Sequence, residues 1–421
     1  MKKFAMMVCG CKVNDYEATY LRNKMLKEFE EVSFSEVADI YIVFTCCVTN
    51  VAESKTRKYF HRARRTNPAA YIVAIGCLSQ IKGDSSDFSD VDLIIGSDQK
   101  DKIMDYIHEN VHDNKVNKKI STAFEDLYFD EYLNKSRAFL KIQDGCNQFC
   151  SYCIIPYARG RERSGNHETL LAEAKKLSAN AKEVVLSGIH TGRYNDGEYQ
   201  LYDLLKAMID QKIFKTIRLS SIEMNEVTDE IIELMATGDV LAHHLHIPIQ
   251  AGSDEILALM HRPYTIKQYQ DRIEYIRGKV SDVSISTDLI VGFPNESDEL
   301  FEKSMETIQK IGFSFVHVFP YSRKTGTAAD SMSGHIDPKT KKDRVRKAIA
   351  IHDELSYAFN SKFIGKTLIM LNEKTDGNYS YGYVKQYFYV RIKGSYPIGE
   401  LLKVRIIKVD KDWVEGEYVT E

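Results

Sequence analysis

The sequence predicts an α/β protein made of an N-terminal doubly wound open sheet, a central partial (β/α)6 barrel and a small C-terminal antiparallel β-barrel. Short apolar runs alternate with amphipathic stretches over residues 1–112, which is typical of a parallel sheet with helices on both faces. The same alternation returns over residues 137–355. Over residues 356–421 it gives way to a two-residue period interrupted by glycines. A chain of 421 residues is long enough for about three such domains.

The N-terminal unit is predicted to hold four buried strands, at Phe4–Val8, Ile40–Phe44, Tyr71–Ile75 and Val91–Ile95. Helices are predicted between or after them, at Asp15–Glu30, Val51–Arg65 and Gln99–Glu109. Open parallel sheets form their sites beyond the carboxyl ends of the strands. Cys11, Cys46 and Cys77 each follow one of the first three strands, so a single crevice can gather all three thiols.

Residues 113–136 are polar, have no strong period and are predicted to be an interdomain linker. Six strand candidates follow, at Ala138–Ile142, Glu183–Ser187, Thr216–Leu219, His244–Ile249, Val283–Ile290 and Phe315–Phe319. They indicate a partial barrel whose chemistry lies at the C-terminal ends of its strands. The strands of the last unit are expected at Leu368–Asn372, Tyr379–Val384, Tyr387–Lys393 and Leu402–Val409.

The composition restricts the class of protein. The net charge is −3, so a surface that binds nucleic acid must be a local patch. No apolar run approaches the ~18–20 residues that span a bilayer, and the first residues form a strand rather than a signal peptide. We therefore expect a cytoplasmic monomer whose eight cysteines stay reduced and available as ligands.

The segment Cys146-Asn-Gln-Phe-Cys150-Ser-Tyr-Cys153 carries the strongest chemical signal in the chain. Three thiolates at this spacing can hold three corners of a cubane iron–sulfur cluster and leave one iron open, as in catalytic metal sites. The alternatives are a zinc knuckle that recruits His167, or inert buried thiols. The number and spacing of the thiolates favour the cluster. The position of Cys11, Cys46 and Cys77 beyond three strands, where one crevice can gather them, is the local argument for a second cluster.

Two stretches are candidates for binding RNA. Residues 55–65 contain six basic residues and no acidic one, namely Lys55, Arg57, Lys58, Arg62, Arg64 and Arg65. Such a face suits contacts with phosphates, although a solvated helix surface is the alternative. In the C-terminal strands, Tyr383, Lys385 and Arg391 belong to a run of interleaved aromatic and basic residues that suits base stacking. The alternative is that the tyrosines form a buried core.

Several segments resemble the tRNA methylthiotransferases of the radical S-adenosylmethionine (SAM) class. Besides the segment 146–153 they are Gly10-Cys11-Lys12-Val13-Asn14-Asp15-Tyr16-Glu17, Thr45-Cys46-Cys47-Val48-Thr49, Gly76-Cys77-Leu78-Ser79-Gln80, Leu219–Glu223, Leu245–Ser253, Asp288–Pro294 and His317–Ser322. The resemblance covers essentially the whole chain. It implies a methylthiotransferase domain over 1–112, a radical SAM domain over 137–355 and a TRAM-like RNA-binding domain over 356–421.

The resemblance also implies cofactors and partners. We expect two [4Fe-4S] clusters, with Cys11, Cys46 and Cys77 holding the auxiliary one that delivers sulfur, and SAM as both radical source and methyl donor. The partners would be the anticodon stem-loop of tRNA and an electron donor such as flavodoxin or ferredoxin. No catalytic residue beyond the clusters is expected. Candidate contacts to SAM are Tyr152, Gly188, Glu223, Gln250, Arg163 and Arg323, of which the two arginines could instead meet RNA phosphates.

The residues of the first motif, Gly10–Glu17, resemble those of the branch that methylthiolates C2 of N6-threonylcarbamoyladenosine. The isopentenyladenosine branch usually has Gln-Met-Asn after the first Cys, and the ribosomal-protein branch has Pro-Lys-Asn. Those two substrates remain alternatives, as do a simple radical methyltransferase and a non-catalytic iron–sulfur regulator that binds RNA. Phe44, Cys47 and Asn295 depart from the commoner Asn, Thr and Gly. Cys9 and Cys47 are expected to be small buried residues rather than ligands.

Overall fold

The computed structural model describes residues 1–113, 120–129 and 136–420, so the predicted linker lies partly outside the described residues, at 114–119 and 130–135. The strands are β1 (Lys3–Val8), β2 (Glu30–Glu31), β3 (Ile40–Thr45), β4 (Tyr71–Gly76), β5 (Leu93–Ile95), β6 (Arg137–Lys141), β7 (Gln143–Asp144), β8 (Arg163–Ser164), β9 (Glu183–Ser187), β10 (Thr216–Leu219), β11 (His244–His246), β12 (Ser284–Val291), β13 (Phe315–Pro320), β14 (Thr367–Thr375), β15 (Tyr379–Val384), β16 (Tyr389–Lys393), β17 (Leu401–Val409) and β18 (Val414–Tyr418). The helices are α1 (Lys12–Met25), α2 (Asn50–Thr66), α3 (Cys77–Lys82), α4 (Ile103–His108), α5 (Ile155–Arg159), α6 (His167–Ser178), α7 (Leu201–Asp210), α8 (Asp229–Thr237), α9 (Asp254–Leu259), α10 (Ile266–Lys279), α11 (Asp298–Ile311) and α12 (Pro338–Ser361).

The N-terminal unit is a parallel sheet in the order β2-β1-β3-β4-β5, which confirms the predicted open sheet. On one face, Phe4 and Ile42 pack with α1 in a core that continues into the central unit. On the other face, Tyr41 packs with Phe60 of α2, so helices cover both sides of the sheet. The strand β2 and the helix α3 were not predicted, because elements this short carry almost no periodic pattern.

The central unit contains two parallel three-stranded sheets, β6-β9-β10 and β11-β12-β13. Isolated bridges from Ile217 to Leu241 and from Ser221 to His246 join their neighbouring edges. Six parallel strands therefore form one open, curved sheet, which confirms the partial (β/α)6 barrel. Along these strands, residues such as Leu140 and Leu186 are buried in the core beneath the helices. The residues that alternate with them face the barrel interior and are mostly polar.

The C-terminal unit is a closed barrel in the order β14-β15-β16-β18-β17. This confirms the predicted small barrel, in which all neighbouring strands are antiparallel except β16 and β18, whose parallel pairing gives it a Greek-key route. The helix α12 crosses the predicted boundary at 355/356, because Ile351 packs in the central core and Phe359 packs in the core of the C-terminal barrel. Among the residues described, no helix has the length and apolar character needed to cross a membrane.

The described part of the predicted linker, residues 120–129, packs against the domains that it connects. Leu127 and Phe129 are buried in the core shared by the N-terminal and central units. The Tyr16 hydroxyl on α1 donates a hydrogen bond to the carbonyl oxygen of Leu127 over 2.9 Å. This stretch therefore fixes the route of the chain between the two units.

A buried network of charges joins the N-terminal and central units. Arg159 at the end of α5 is fully buried and pairs with Glu17 of α1 over 2.7 Å. Lys141 of β6 contacts Glu17 over 3.0 Å and Asp144 of β7 over 2.8 Å. Lys100 lies 3.5 Å from Glu17. Burial opposes ionisation of Glu17, but Arg159, Lys100 and Lys141 outweigh it and lower the pKa of this carboxyl to about 2.

We expect Glu17→Gln to lower the free energy of unfolding by about 3–5 kcal/mol at pH 7, because it leaves buried cations without their partner. Glu17 has a pKa below its unfolded value, so its stabilisation is complete above about pH 4.5 and is lost as the pH falls towards about 2. Urea titrations of the iron-free protein at several pH values would measure both effects. As a control, Glu31→Gln removes a partly exposed partner of Arg22 and should change the stability by less than about 1 kcal/mol. Equal effects of the two substitutions would contradict a special role for the buried network.

Candidate active site

The segment with Cys146, Cys150 and Cys153 is a loop held closed at its base. The strands β7 and β8 pair antiparallel on either side of it. Gly145 has a φ of +72°, and a Cβ atom there would lie 2.0 Å from the carbonyl oxygen of Arg161, so the turn requires glycine. The Cys153 amide donates to the carbonyl oxygen of Cys150 over 2.9 Å. The folded loop keeps the three thiols within electrostatic range of one another.

The surroundings of these thiols fit a group that carries negative charge on sulfur. Arg262 Nη1 donates to Cys150 Sγ over 3.4 Å, and the Gln148 amide donates to Cys146 Sγ over 3.4 Å. His190 Nδ1 lies 3.5 Å from Cys146 Sγ. Burial, together with the neighbouring Cys150, raises the pKa of Cys153 to about 12. A bound cationic metal would favour the thiolate of Cys153 over its buried thiol, and N–H donors to sulfur are typical of iron–sulfur sites.

The zinc alternative gains no support from His167. This residue begins α6 and its ring stacks on Tyr199 at 4.2 Å. Within the described ranges, His167 belongs to no group of ligand atoms close enough to share a metal ion. Cys146 does lie in such a group, whose other members are Glu162 and His190.

Two of the predicted contacts to SAM lie around Arg262. This buried arginine forms an ion pair with Glu223, just after β10, and interacts electrostatically with Tyr152 of the cysteine loop. Gly188 follows β9, where a Cβ atom would lie 3.0 Å from the side chain of Gln143. Gln250 has a φ of +66°, and its backbone N–H donates to the backbone carbonyl oxygen of Asp288 over 2.9 Å. The four residues therefore lie at successive strand ends, as expected of a barrel site.

The structure accounts differently for the two arginines predicted to meet SAM or phosphate. Arg163 is buried, pairs with Asp144 over 3.0 Å and donates to the carbonyl oxygen of Arg159 over 2.7 Å. It therefore stabilises the base of the cysteine loop. Arg323 is exposed and bonded to Asp330 through its guanidinium. The next residue, Lys324, is buried and pairs with Glu53 of α2 over 2.6 Å, which ties the central unit to the N-terminal one.

The second set of cysteines lies beyond three adjacent strands, as predicted. Cys11 follows β1 and is exposed, whereas Cys46 and Cys77 follow β3 and β4 and are buried. Arg159 Nε donates to Cys77 Sγ over 3.2 Å. A hydrogen bond from Cys47 and the charge of Arg159 lower the pKa of Cys77 to about 6. Three thiols beside a buried cation fit a cluster in which three irons have protein ligands and the fourth has none.

The remaining cysteines and the departures from the family motifs have local explanations. Cys47 is 1% exposed, in agreement with the prediction of a buried thiol, but its sulfur also contacts Cys77. Cys9 is partly exposed, which corrects the prediction that it is buried, and partial burial raises the pKa of its thiol. Phe44 is fully buried in the sheet core. Asn295 has a φ of +65°, a conformation that asparagine tolerates better than most residues.

Sequence reasoning missed the residues that link these sites. Arg159, Arg262 and His190 each contact a cysteine, and none belongs to a spacing pattern that would have identified it. The nearest signal was the density of arginines in Arg159–Arg163, directly after the cysteine loop. Three arginines in five residues are a signal of a charged site, but they do not show that Arg159 is the one that contacts a cysteine.

The interior of the partial barrel is lined with polar groups from its strands. Arg218 of β10 pairs with Glu183 of β9 over 3.2 Å, and Arg137 of β6 lies 3.4 Å from the same carboxylate. On the other half of the barrel, the ligand atoms of His246, Asp288 and His317 all lie within 4.8 Å of one another. His244 and His246 lie in β11, in agreement with the prediction that they are strand residues.

The basic run on α2 divides into two groups. Arg57 pairs with Asp87 over 3.3 Å, and Arg64 binds Asp92 over 2.7 Å as well as three backbone carbonyl groups, so both hold the fold together. The other basic residues are exposed and have no ion pair among the described residues; they are Lys55, Lys58, Arg62 and Arg65. Their spacing of three, four and three residues puts them on one face of the helix, here called the basic stripe.

The aromatic residues of the C-terminal barrel face outwards, because Ser380, Gly382 and Val384 alternate with them and are buried inside. Tyr383 and Lys385 nevertheless do not form a free surface. Arg137 lies over the Tyr383 ring at 5.1 Å, and Lys385 pairs with Asp239 of the central unit. Tyr383 and Lys385 therefore belong to the contact between the C-terminal barrel and the central unit. The two-residue pattern could not reveal this contact.

Arg391 remains on the outer surface of the C-terminal barrel. Its guanidinium lies 3.7 Å from the centre of the Trp413 ring and 5.3 Å from that of Tyr379, and it pairs with Glu415 over 3.0 Å. The Tyr381 and Tyr389 rings stack beside it at 6.2 Å. An outward cation among aromatic rings is the arrangement that suits single-stranded RNA.

Comparison with known families gives two matches. The model of the radical SAM superfamily matches residues 140–308, and that of the uncharacterized protein family UPF0004 matches residues 3–96. The chain is 36% identical to the threonylcarbamoyladenosine tRNA methylthiotransferase MtaB of Bacillus subtilis (strain 168), over 100% of this chain and 97% of that protein. It is 31% identical to the tRNA-2-methylthio-N(6)-dimethylallyladenosine synthase of Thermodesulfovibrio yellowstonii, over 98% of this chain and 97% of that protein.

Solved structures share the fold at low sequence identity. The radical SAM methyltransferase TsrM from Kitasatospora setae, with cobalamin and a [4Fe-4S] cluster bound, has a TM-score of 0.58 at 12% identity over 78% of this chain and 77% of that chain. The cobalamin-dependent SAM radical enzyme OxsB, with aqua-cobalamin and SAM bound, has a TM-score of 0.51 at 10% identity over 85% of this chain and 58% of that chain.

We expect Arg262→Met to reduce cluster retention or SAM cleavage by about 10- to 100-fold, because it removes a donor to Cys150 and leaves Glu223 without its partner. Iron content after anaerobic gel filtration and the rate of SAM cleavage would measure the effect. Arg272→Met is a matched control, since Arg272 binds Val227 and Asp229 and has no described contact with a cysteine. Indistinguishable iron content and cleavage rates in the two variants would contradict a role for Arg262 at the cluster.

Proposed function

We propose that this chain, which belongs to the radical SAM tRNA methylthiotransferases, adds a methylthio group to C2 of N6-threonylcarbamoyladenosine beside the tRNA anticodon. The observation that carries the proposal is the link between two cysteine triads through one buried contact. Arg159 donates to Cys77 Sγ and to Asp144, and Asp144 accepts a hydrogen bond from Gly145, directly before Cys146. A methylthiolation needs a radical centre and a sulfur source at the same base, and a domain interface is a common location for such a site.

The first triad would hold the radical-generating group. A [4Fe-4S] cluster with SAM supplies, when bound, the one-electron chemistry that opens the unactivated C2–H bond. Cys146, Cys150 and Cys153 are its proposed ligands. Arg262 donates to Cys150 and fixes Glu223, so these side chains form a polar wall for SAM. Tyr152, Gly188 and Gln250 are proposed to complete the SAM site.

The second triad, Cys11, Cys46 and Cys77, is proposed to hold the auxiliary [4Fe-4S] cluster that provides the sulfur. Its two buried ligands would anchor the cluster, and its exposed one would lie towards the substrate. The guanidinium of Arg159 beside Cys77 favours a thiolate at this position. Cys9 and Cys47 are proposed to support the site without being required as ligands.

The anticodon stem-loop of tRNA is the proposed macromolecular substrate. The basic stripe would hold its phosphates, and Arg391 with its neighbouring rings would contact unpaired bases. An electron donor such as flavodoxin or ferredoxin would reduce the first cluster. The protein is proposed to act in the cytoplasm as a monomer.

The second candidate function is the same chemistry on isopentenyladenosine. It is favoured by one observation, the 31% identity with the T. yellowstonii protein named as a dimethylallyladenosine synthase. The relatives named for threonylcarbamoyladenosine include the B. subtilis protein at 36% and one from Aquifex aeolicus (strain VF5) at 34% identity over 96% of this chain and 100% of that protein. These identities support the threonylcarbamoyl substrate as the first choice.

Mass spectrometry of tRNA nucleosides from a host lacking the activity would test the reaction. We expect 2-methylthio-N6-threonylcarbamoyladenosine with the intact protein and none with Cys146→Ala or Cys11→Ala, because each removes a proposed ligand. Cys47→Ala is the matched control and should retain the product.

An isopentenyl product would replace the proposed substrate and leave the chemistry in place. Full activity of Cys11→Ala would instead favour a simple radical methyltransferase, which needs only the first triad.

The basic stripe makes a separate prediction about RNA affinity. Replacing Lys58, Arg62 and Arg65 by glutamine should weaken binding of an anticodon stem-loop and reduce the slope of log K against log salt concentration by about one for each phosphate that is no longer neutralised. Fluorescence anisotropy at several salt concentrations would measure the slope. The control replaces Lys310, Lys339 and Lys342 by glutamine, which removes the same charge elsewhere. A slope that changes equally in both variants would rule out the stripe as the phosphate site.

A further inference from the structure

The charge of Lys12 acts both on the auxiliary site and on residues of the partial barrel. It directly follows Cys11 and begins α1. Its charge interacts with Cys11 itself and with residues facing the interior of the central unit on β6, β9 and β10, namely Arg137, Glu183 and Arg218. It also acts on histidines of β11 and β13, namely His244 and His317. Lys12 is therefore a half-buried cation within electrostatic range of residues on five strands of the partial barrel.

Lys12 has no partner of its own. Although it is half-buried, it makes no hydrogen bond and no ion pair with any described residue. Glu183, a carboxylate with which its charge interacts, is already shared by Arg218 at 3.2 Å and Arg137 at 3.4 Å. A cation withdrawn from water without a counterion is unfavourable unless a ligand supplies the negative charge. The positive charge of Lys12 therefore lacks a counterion among the described residues, and it is complementary to an anion.

Building on the proposed function, we propose that Lys12 binds the carboxylate of the threonylcarbamoyl group and so determines the specificity of the enzyme. Sulfur delivery requires the C2 edge of the adenine to lie beside the triad that contains Cys11. C2 and C6 flank the same ring nitrogen, so the substituent on N6 is close to the long side chain of the next residue. Among the substrates considered, the isopentenyl group is apolar and carries no charge, and it would leave the ammonium unpaired. The same lysine would therefore attract one substrate and reject the other.

The test compares two anticodon stem-loops that differ in one group, the free threonylcarbamoyl carboxylate and its methyl ester. Binding is measured with cluster-loaded protein. We expect the wild type to bind the acid about 10- to 100-fold more tightly than the ester, the range for a charge-assisted hydrogen bond. Lys12→Gln, which is neutral and of similar length, should bind both RNAs with affinities within about 3-fold of each other. Lys12→Arg keeps the charge and should retain the preference.

Two controls separate this role from general effects. Lys58→Gln removes a charge from the basic stripe and should lower the binding affinities of both RNAs by the same factor. The preference is a ratio within each variant, so a partial loss of clusters in Lys12→Gln would affect both RNAs alike. Lys12→Met provides a second neutral variant. Equal binding of acid and ester by the wild type, or a preference that persists in both neutral variants, would overturn the proposal.

The outcome is distinguishable from failure of the proposed function. If the wild type forms no methylthio product from the stem-loop with the free carboxylate, the proposed substrate is wrong. If it forms that product but Lys12→Gln still discriminates between acid and ester, the reaction stands and only the role of Lys12 fails.

Discussion

The structure depends on the requirement that buried charges be paired. Arg159 is fully buried, and its guanidinium contacts Glu17 of the first helix, Asp144 beside the cysteine loop and the thiol of Cys77. Removing any of these partners would leave charge in an apolar core, which is far less favourable than losing a surface pair. The network therefore constrains how the N-terminal sheet sits on the barrel. Because Asp144 and Cys77 border different triads, the same constraint fixes the two thiol sites relative to each other.

The partial barrel adds a second constraint by separating apolar and polar residues along each strand. Leu140, Leu186 and Leu245 pack under the helices, whereas alternate positions carry arginine, glutamate, histidine and serine into the interior. A filled barrel would place apolar layers there. A polar interior instead offers charged and hydrogen-bonding groups to a polar substrate. The fold thus keeps its stability on the outer face of the strands and leaves the inner face available for chemistry.

Much of this architecture could be predicted from the sequence, because apolar runs identify strands and the cysteines follow those strands. Cys11, Cys46 and Cys77 lie past adjacent strands, as the position of each run indicated. Long-range partners could not be predicted in this way: Arg159 and Cys77 are 82 residues apart and belong to no common motif. For Tyr383, the two-residue period left open whether its side of the strand is buried or faces outwards, and the structure shows that it faces outwards. The period could not predict that the central unit covers this side, because periodicity describes one element and not its neighbours.

The long helix α12 and the contact around Tyr387 have a consequence for modularity. The helix begins on the barrel, and its final turns pack in the core of the C-terminal unit. Tyr387 lies 4.6 Å from the guanidinium of Arg218 and 4.5 Å from the ring of His244. The C-terminal unit is therefore also the floor of the central unit's interior. A recombination event that exchanged this unit at residue 356 would cut a helix and uncover charged residues, so exchange between homologues must preserve this contact as well as the C-terminal barrel itself.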